Sequence, residues 1–256
     1  MLHARSLRRA LATLLLAAPA AVAVPAAAQS APSAAPALDG ARLQPGRWTY
    51  TATMERDSAS IQLARRVVTV SAADYQGTPA WLLVDETNAR GQVMPDSVWV
   101  RRDDLAPLAR SAVMGPLRLA VRAIGDSLTG ALRAPGAEEA PIALSAPPGT
   151  MLNAAMLEAA LTLLPLRAGW TGTLHELAPG PTGAALVPVT LAVTGEEAVT
   201  VPAGTIPCWV MTAGSAGVEQ RLWVAKADGR LVRRSSSPPQ APDVRYETVL
   251  VQPARP

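Results

Sequence analysis

A chain of 256 residues, 49% of them hydrophobic and 17% charged, is long enough to bury the core of one sizeable domain. Its formal charge of +3 is too small for the basic face that a nucleic-acid partner needs. Cys208 stands alone, which excludes an intramolecular disulfide, and with His175 it cannot make a conventional structural zinc site.

The first 28 residues read as a secretory leader. Arg5, Arg8 and Arg9 form a basic start, Ala10 to Val24 is a short apolar run, and Ala26-Ala27-Ala28 offers a small-residue cleavage site. Cleavage there makes Gln29 the first mature residue and removes three arginines, leaving 20 basic against 20 acidic residues. The expected destination is the periplasm, with no spanning segment in the mature chain and room for peripheral membrane contact. Residues 29–42 are Ala, Pro and Ser with little to bury, and read as a flexible tether. Residues 43–256 are then a single barrel-like domain.

Arg47–Met54 is the cleanest alternating strand in the chain, with Trp48, Tyr50, Ala52 and Met54 on one face. Ile61–Val70, Ala80–Thr87 and Ser97–Arg102 continue a meander, and Leu117–Ile124 pairs with Ser127–Arg133 across Gly125-Asp126. A segment rich in Pro and Gly, 134–149, interrupts this pattern. The run from Thr150 to Pro165 follows, with Thr150 as N-cap, Pro165 as stop and Met151–Leu164 as helix.

Only Asn153, Glu158 and Thr162 break the apolar surface of that helix, so it must be covered on nearly every side. Gly169–Glu176, Leu186–Thr194 and Val244–Val251 are further strands, and Pro188 marks an edge or a bulge. Between them Val199–Val201, Ile206–Thr212, Val218–Ala225 and Leu231–Arg234 form a closing meander. The fold class is mainly β: an antiparallel, open (unclosed) β-barrel with one apolar helix packed in its concave side.

Chemical motifs are weak. Gly125-Asp126-Ser127-Leu128 resembles the nucleophile block of the GDSL/SGNH esterases, but its surroundings read as a hairpin, and no Asp stands three residues before His175. The pairs Asp85-Glu86, Asp103-Asp104, Glu138-Glu139 and Glu196-Glu197 read as solvated punctuation, as do the paired arginines Arg65-Arg66, Arg101-Arg102 and Arg233-Arg234. His175 is a hydrogen-bonded strand residue in this reading. All six tryptophans fall within expected strands. No catalytic residue, metal site or cofactor is expected.

Asp96 to Leu108 echoes Gln220 to Val232: each has a central Trp-Val, charged residues in a turn and a return strand. Internal repetition and convergence both account for that echo. The run V-T-V-P-A-G-T-I-P-C-W-V-M, then R-L-W-V-A-K-A-D-G-R-L-V, then Tyr246 to Leu250 resembles exported bacterial proteins of unknown function related to the LolA/LolB lipoprotein carriers. That resemblance implies an unclosed barrel around an apolar cavity for acyl chains. The expected function is a non-enzymatic carrier or binding module for a lipid, a lipoprotein acyl chain or another apolar ligand. Candidate lining residues are Met151, Leu152, Met156, Leu157, Leu161, Trp170 and Trp209. The alternative is an envelope structural or assembly protein with a filled barrel, and a serine esterase at Ser127 stands third.

Overall fold

A computed structural model describes residues 35–180, 183–215 and 217–252. The leader and its cleavage site lie outside the described residues. Alternating buried and exposed side chains build a strand meander: β1 (Gly46–Arg56), β2 (Ala59–Tyr75), β3 (Thr78–Ala89), β4 (Gln92–Arg101), β5 (Pro107–Met114), β6 (Leu117–Ile124), β7 (Ser127–Arg133) and β8 (Ala140–Ser145). The two-residue strand β9 (Thr150–Met151) and helix α1 (Ala154–Leu161) follow. The chain then runs through β10 (Thr171–Gly180), β11 (Gly183–Val201), β12 (Gly204–Ser215), β13 (Val218–Ala225), β14 (Leu231–Ser236) and β15 (Val244–Gln252). Gln76-Gly77 and Arg90-Gly91 have positive φ at both residues, which matches the strand twist across the tight hairpins β2–β3 and β3–β4.

These strands form one sheet in the order β8-β7-β6-β5-β4-β3-β2-β1-β15-β14-β13-β12-β11-β10-β9. Its first and last strands pair in the middle, Tyr50 opposite Leu250. The open seam therefore lies between β8 and β9; residues 146–149 cross it, and α1 follows β9. The two sides of the seam come close at Gly183, where a Cβ would sit 3.7 Å from the Pro141 carbonyl. Among the described residues the fold is thus mostly β, with one α-helix and a sheet that hydrogen bonds do not close.

Eight residues are too few for a helix to persist alone. Burial of Leu152, Ala155, Met156, Ala160 and Leu161, all fully inaccessible, holds α1 in place. Its cap differs from the expected one. Asn153 Oδ1 accepts from the Met156 amide at 2.9 Å, whereas Thr150 and Met151 belong to β9, paired parallel to His175 and Glu176. The apolar run is longer than the helix because its start is used as strand.

Other boundaries also moved. Leu117–Ile124, Ser127–Arg133 and Val218–Ala225 have their expected bounds. β8 was hidden among the prolines of segment 134–149. Leu186–Thr194 and Val199–Val201 are parts of one strand, because the pairing skips at Thr194 and the acidic pair beyond it continues the ladder. Pro188 lies where β11 pairs with β10 and has not yet met β12, which is the expected edge. Trp170 precedes β10 instead of lying within a strand. Residues 35–42 of the expected tether rest on the barrel end: the Gly40 amide donates to Asp103 O at 2.7 Å, and Trp81 Nε1 donates to Gly40 O at 2.9 Å.

The Trp99 and Trp223 hairpins are built alike. Pairing shifts immediately after each tryptophan. Leu105 and Gly229 occupy the same turn position with φ of 57° and 71°. Arg102 N donates to Pro79 O at 3.1 Å and Lys226 N to Pro207 O at 2.9 Å. The Arg102 guanidinium covers Trp81 at 5.0 Å, and the Lys226 ammonium covers Trp209 at 4.2 Å. The sequence echo therefore extends to backbone bonds and cation–aromatic contacts, from β3–β5 to β12–β14.

Candidate functional site

The barrel interior is where an acyl chain would have to go. Met151, Leu152, Met156, Leu161 and Trp170 are all brought together in its core, and Leu157 and Trp209 pack against that core half-buried. Between α1 and strands β1, β2 and β14 remains about 20 Å³, lined by Leu43, Trp48, Ala159 and Leu231 among others. That is room for one water.

What the interior does contain is charge. Glu158 on α1 is buried, and its Oε1 accepts from Arg66 Nη1 at 2.6 Å and Arg234 Nη2 at 2.9 Å. Arg66 also donates from Nε to both oxygens of Asp85, at 2.9 and 2.8 Å. Burial works against the Arg66 charge, but Glu158 and Asp85 more than offset it and hold its pKa above the ordinary guanidinium value. The Tyr50 phenol lies under Arg66, 5.5 Å from its guanidinium, and donates to Leu231 O at 3.2 Å. Burial first, then Glu158, pushes that phenol well above its usual range.

A second arginine secures the approach to the helix. Arg110, buried on β5, makes a two-pronged pair with Asp96 at 3.0 and 2.8 Å and donates its remaining Nη1 to Leu152 O. The C-terminal end is held sterically: a Cβ at Gly229 would lie 2.5 Å from Thr162 Cα, so the β13–β14 turn needs glycine both for its φ and for this approach.

Sequence reasoning placed Arg66, Arg234 and Asp85 at the solvated surface, and the structure corrects this. The available signal was phase: Arg66 alternates with Ala64, Val68 and Val70, all inward-facing. Glu158, alone in an apolar helix that must be covered all round, called for a buried cationic partner.

Ser127 is exposed at the start of β7, opposite Ile124 and Ser145, and is a hairpin residue. His175 donates its amide to Gly149 O at 3.0 Å. Cys208 is buried, donates to Ile206 O at 3.3 Å, and has its thiol pushed up to about 11 by burial and then by Glu197 and Asp228. Among the described residues no group of three or more His, Cys, Asp or Glu is placed to hold a metal ion, and no helix is long and apolar enough to cross a membrane.

Two of the larger hollows among the described residues lie outside the packed interior. One, of about 630 Å³, is at the barrel end beneath residues 35–38 and is lined by Leu105, Leu108, Pro147, Pro148 and Met151. The other, of about 770 Å³, follows β4 to β7 and contains none of the expected site residues.

Residues 49–247 match the family described as a protein of unknown function, DUF3108. The chain belongs to the DUF3108 family. No curated protein matches it. Among solved structures it is similar to a β-barrel-like protein of a domain of unknown function, DUF1849, from Brucella abortus. The two share 14% identity with a TM-score of 0.51, over 84% of this chain and 99% of that one. It is more distantly similar to an exported protein with a YmcC-like fold from Bacteroides fragilis, at 13% identity and TM-score 0.40 over 86% and 100% of the two chains. The hypothetical lipoprotein YmcC from Escherichia coli follows at 13% and 0.35, over 80% and 87%. For this DUF3108 member, the first of these likenesses bears on fold alone.

Proposed function

We propose that this protein is a non-enzymatic envelope component with a self-filled barrel, serving a structural or assembly role. The observation that carries this reading is the 20 Å³ left inside, against the roughly 300–1,000 Å³ that ligand pockets occupy. The leader-like first 28 residues support an exported, periplasmic location. A helix capped by Asn153 and paired through Glu158 to two arginines is built to stay in place.

A second reading keeps the carrier. Its support is the hollow of about 630 Å³ at the barrel end, where Met151 meets leucine and proline side chains, together with the resemblance to LolA/LolB proteins. In that reading an acyl chain enters at the end hollow and displaces α1 from Arg66 and Arg234.

Native mass spectrometry of the purified protein, uptake of a fluorescent acyl probe and unfolding of Met156→Glu separate the two. The filled barrel expects no bound lipid, no uptake, and a loss of several kcal/mol from a total of roughly 5–15, because a carboxylate enters a packed core. Co-purified lipid, or saturable probe binding that the variant loses, would establish the carrier instead.

A further inference from the structure

The 770 Å³ groove on the outward face of β4 to β7 is unrelated to the interior. Its residues fall into three cross-strand rows. Trp99, Ala109, Arg122 and Thr129 stand opposite one another in the first, and Ser111, Ala120 and Ala131 in the second. Val113, Arg118 and Arg133 make the third. Arg122 and Arg118 are four residues apart on β6, so the outer rows are separated by roughly 13 Å. Outward orientation follows from burial: Arg118, Ala120 and Arg122 are exposed, whereas Leu119 and Val121 between them are buried.

The groove has an aromatic end and an excess of positive charge. Tyr75 and Trp99 meet at 5.7 Å between centroids with their planes tilted by 43°. Three exposed arginines, Arg118, Arg122 and Arg133, accompany one acid, Glu139, which pairs with Arg133; Arg110 is buried and turned to Asp96. Among the described residues neither Arg118 nor Arg122 has a carboxylate partner; Arg118 donates to the carbonyls of Gly115 and Leu117. Arg118 stands directly opposite Arg133 in the ladder, and Glu139 neutralises Arg133 alone, so the charge of Arg118 is left over on this face. The middle row has only small side chains, with the Ser111 hydroxyl beside two alanines.

We propose that this groove binds an acidic oligosaccharide. A sugar ring packs its C–H face on the Tyr75–Trp99 pair, further rings lie over Ser111, Ala120 and Ala131, and carboxylates along the chain meet Arg122 and Arg118. Guanidinium groups suit this role because they pair with carboxylates through two parallel bonds. An acidic peptide fits less well. Extended peptides bind by main-chain hydrogen bonds to a sheet edge, and here the strands are interior to the sheet with their ladders paired on both sides. Single-stranded nucleic acid favours aromatic rings interleaved with basic residues along a groove, whereas here the aromatics occupy one end.

The test is calorimetric titration of the full chain with tetragalacturonate, with maltotetraose and poly-glutamate as comparisons. The variants are Arg122→Ala, Arg118→Ala and Tyr75→Ala, with Arg65→Ala, an exposed arginine outside the groove, as a control. Unfolding curves check that each variant is folded. Tetragalacturonate should bind and maltotetraose should bind far more weakly. Arg122→Ala should weaken the acidic sugar about tenfold or more, the loss expected for one charged hydrogen-bonding partner, and Tyr75→Ala should weaken it as well. Arg65→Ala should leave binding unchanged. Absence of tetragalacturonate binding would overturn the proposal. So would poly-glutamate binding of equal strength that is indifferent to Tyr75→Ala, since the groove would then be a charge patch without sugar recognition.

Discussion

Glu158 Oε1 on α1 lies 2.6 Å from Arg66 Nη1 on β2, and neither side chain has more than a tenth of its surface in water. The pair spans the interface between helix and sheet, and removing Glu158 takes from Arg234 its carboxylate and from Arg66 one of its two. Glu158→Ala should cost about 3–5 kcal/mol, as expected when a buried pair loses one partner. Glu158→Leu combined with Arg66→Met should recover little of that loss, because Asp85 then loses Arg66 and Arg234 loses Glu158. Urea unfolding of the three proteins measures this, and a Glu158→Ala shift below about 1 kcal/mol would show that water reaches the arginines.

Alkaline instability should trace to Tyr50. Its folded pKa is raised by burial and by Glu158, so the folded state favours the neutral phenol. The resulting stability is present in full below the ordinary phenol value of about 10 and is lost as pH rises above it. Tyr50→Phe gives up the bond to Leu231 O, at about 1 kcal/mol near neutrality. Its unfolding midpoint should nevertheless decline less steeply with alkali than the parent's. Parallel slopes would mean that another group governs the alkaline limit.

Cys208 should react slowly with thiol reagents in the native protein. It is buried, and a thiol pushed up to about 11 offers little thiolate near pH 8. Labelling should accelerate on adding denaturant, and stability should not respond to reductant. Rapid labelling of native protein would contradict the packing of β12.

Ser127→Ala should be almost silent, with a cost on the order of 1 kcal/mol or less. Its hydroxyl sits at an exposed hairpin, so any hydrolytic activity of the purified protein should survive the change. A loss of such activity in a folded Ser127→Ala protein would assign Ser127 a catalytic role.

Local pattern made much of the fold legible. Period-two alternation is clear in β6, the Gly125-Asp126 turn set the start of β7, and the Gly214–Gly217 and Asp228-Gly229 turns bounded β13, whose last four residues are all buried. The same logic required that a helix apolar on nearly all sides be covered. The matched motifs around Trp99 and Trp223 already indicated the two hairpins whose backbone bonds coincide. β8 was obscured because Pro141 and the prolines around the strand read as loop, although Pro141 is tolerated on a strand at the sheet edge.

Tertiary placement decided the rest. From sequence alone, Arg66, Asp85 and Arg234 are adjacent to other charges in polar-looking pairs, and only the curl of the sheet beneath α1 brings Arg66 and Arg234 to Glu158, with Asp85 on the other side of Arg66. The groove has no sequence signature, because Tyr75, Trp99, Arg118, Arg122 and Arg133 come from four strands and meet through register. Whether the interior is cavity or core depends on how completely α1 fills the curved sheet. Composition sets the amount of apolar surface available, and the packing of Met156 and Leu161 against strands distant in sequence sets the space that remains.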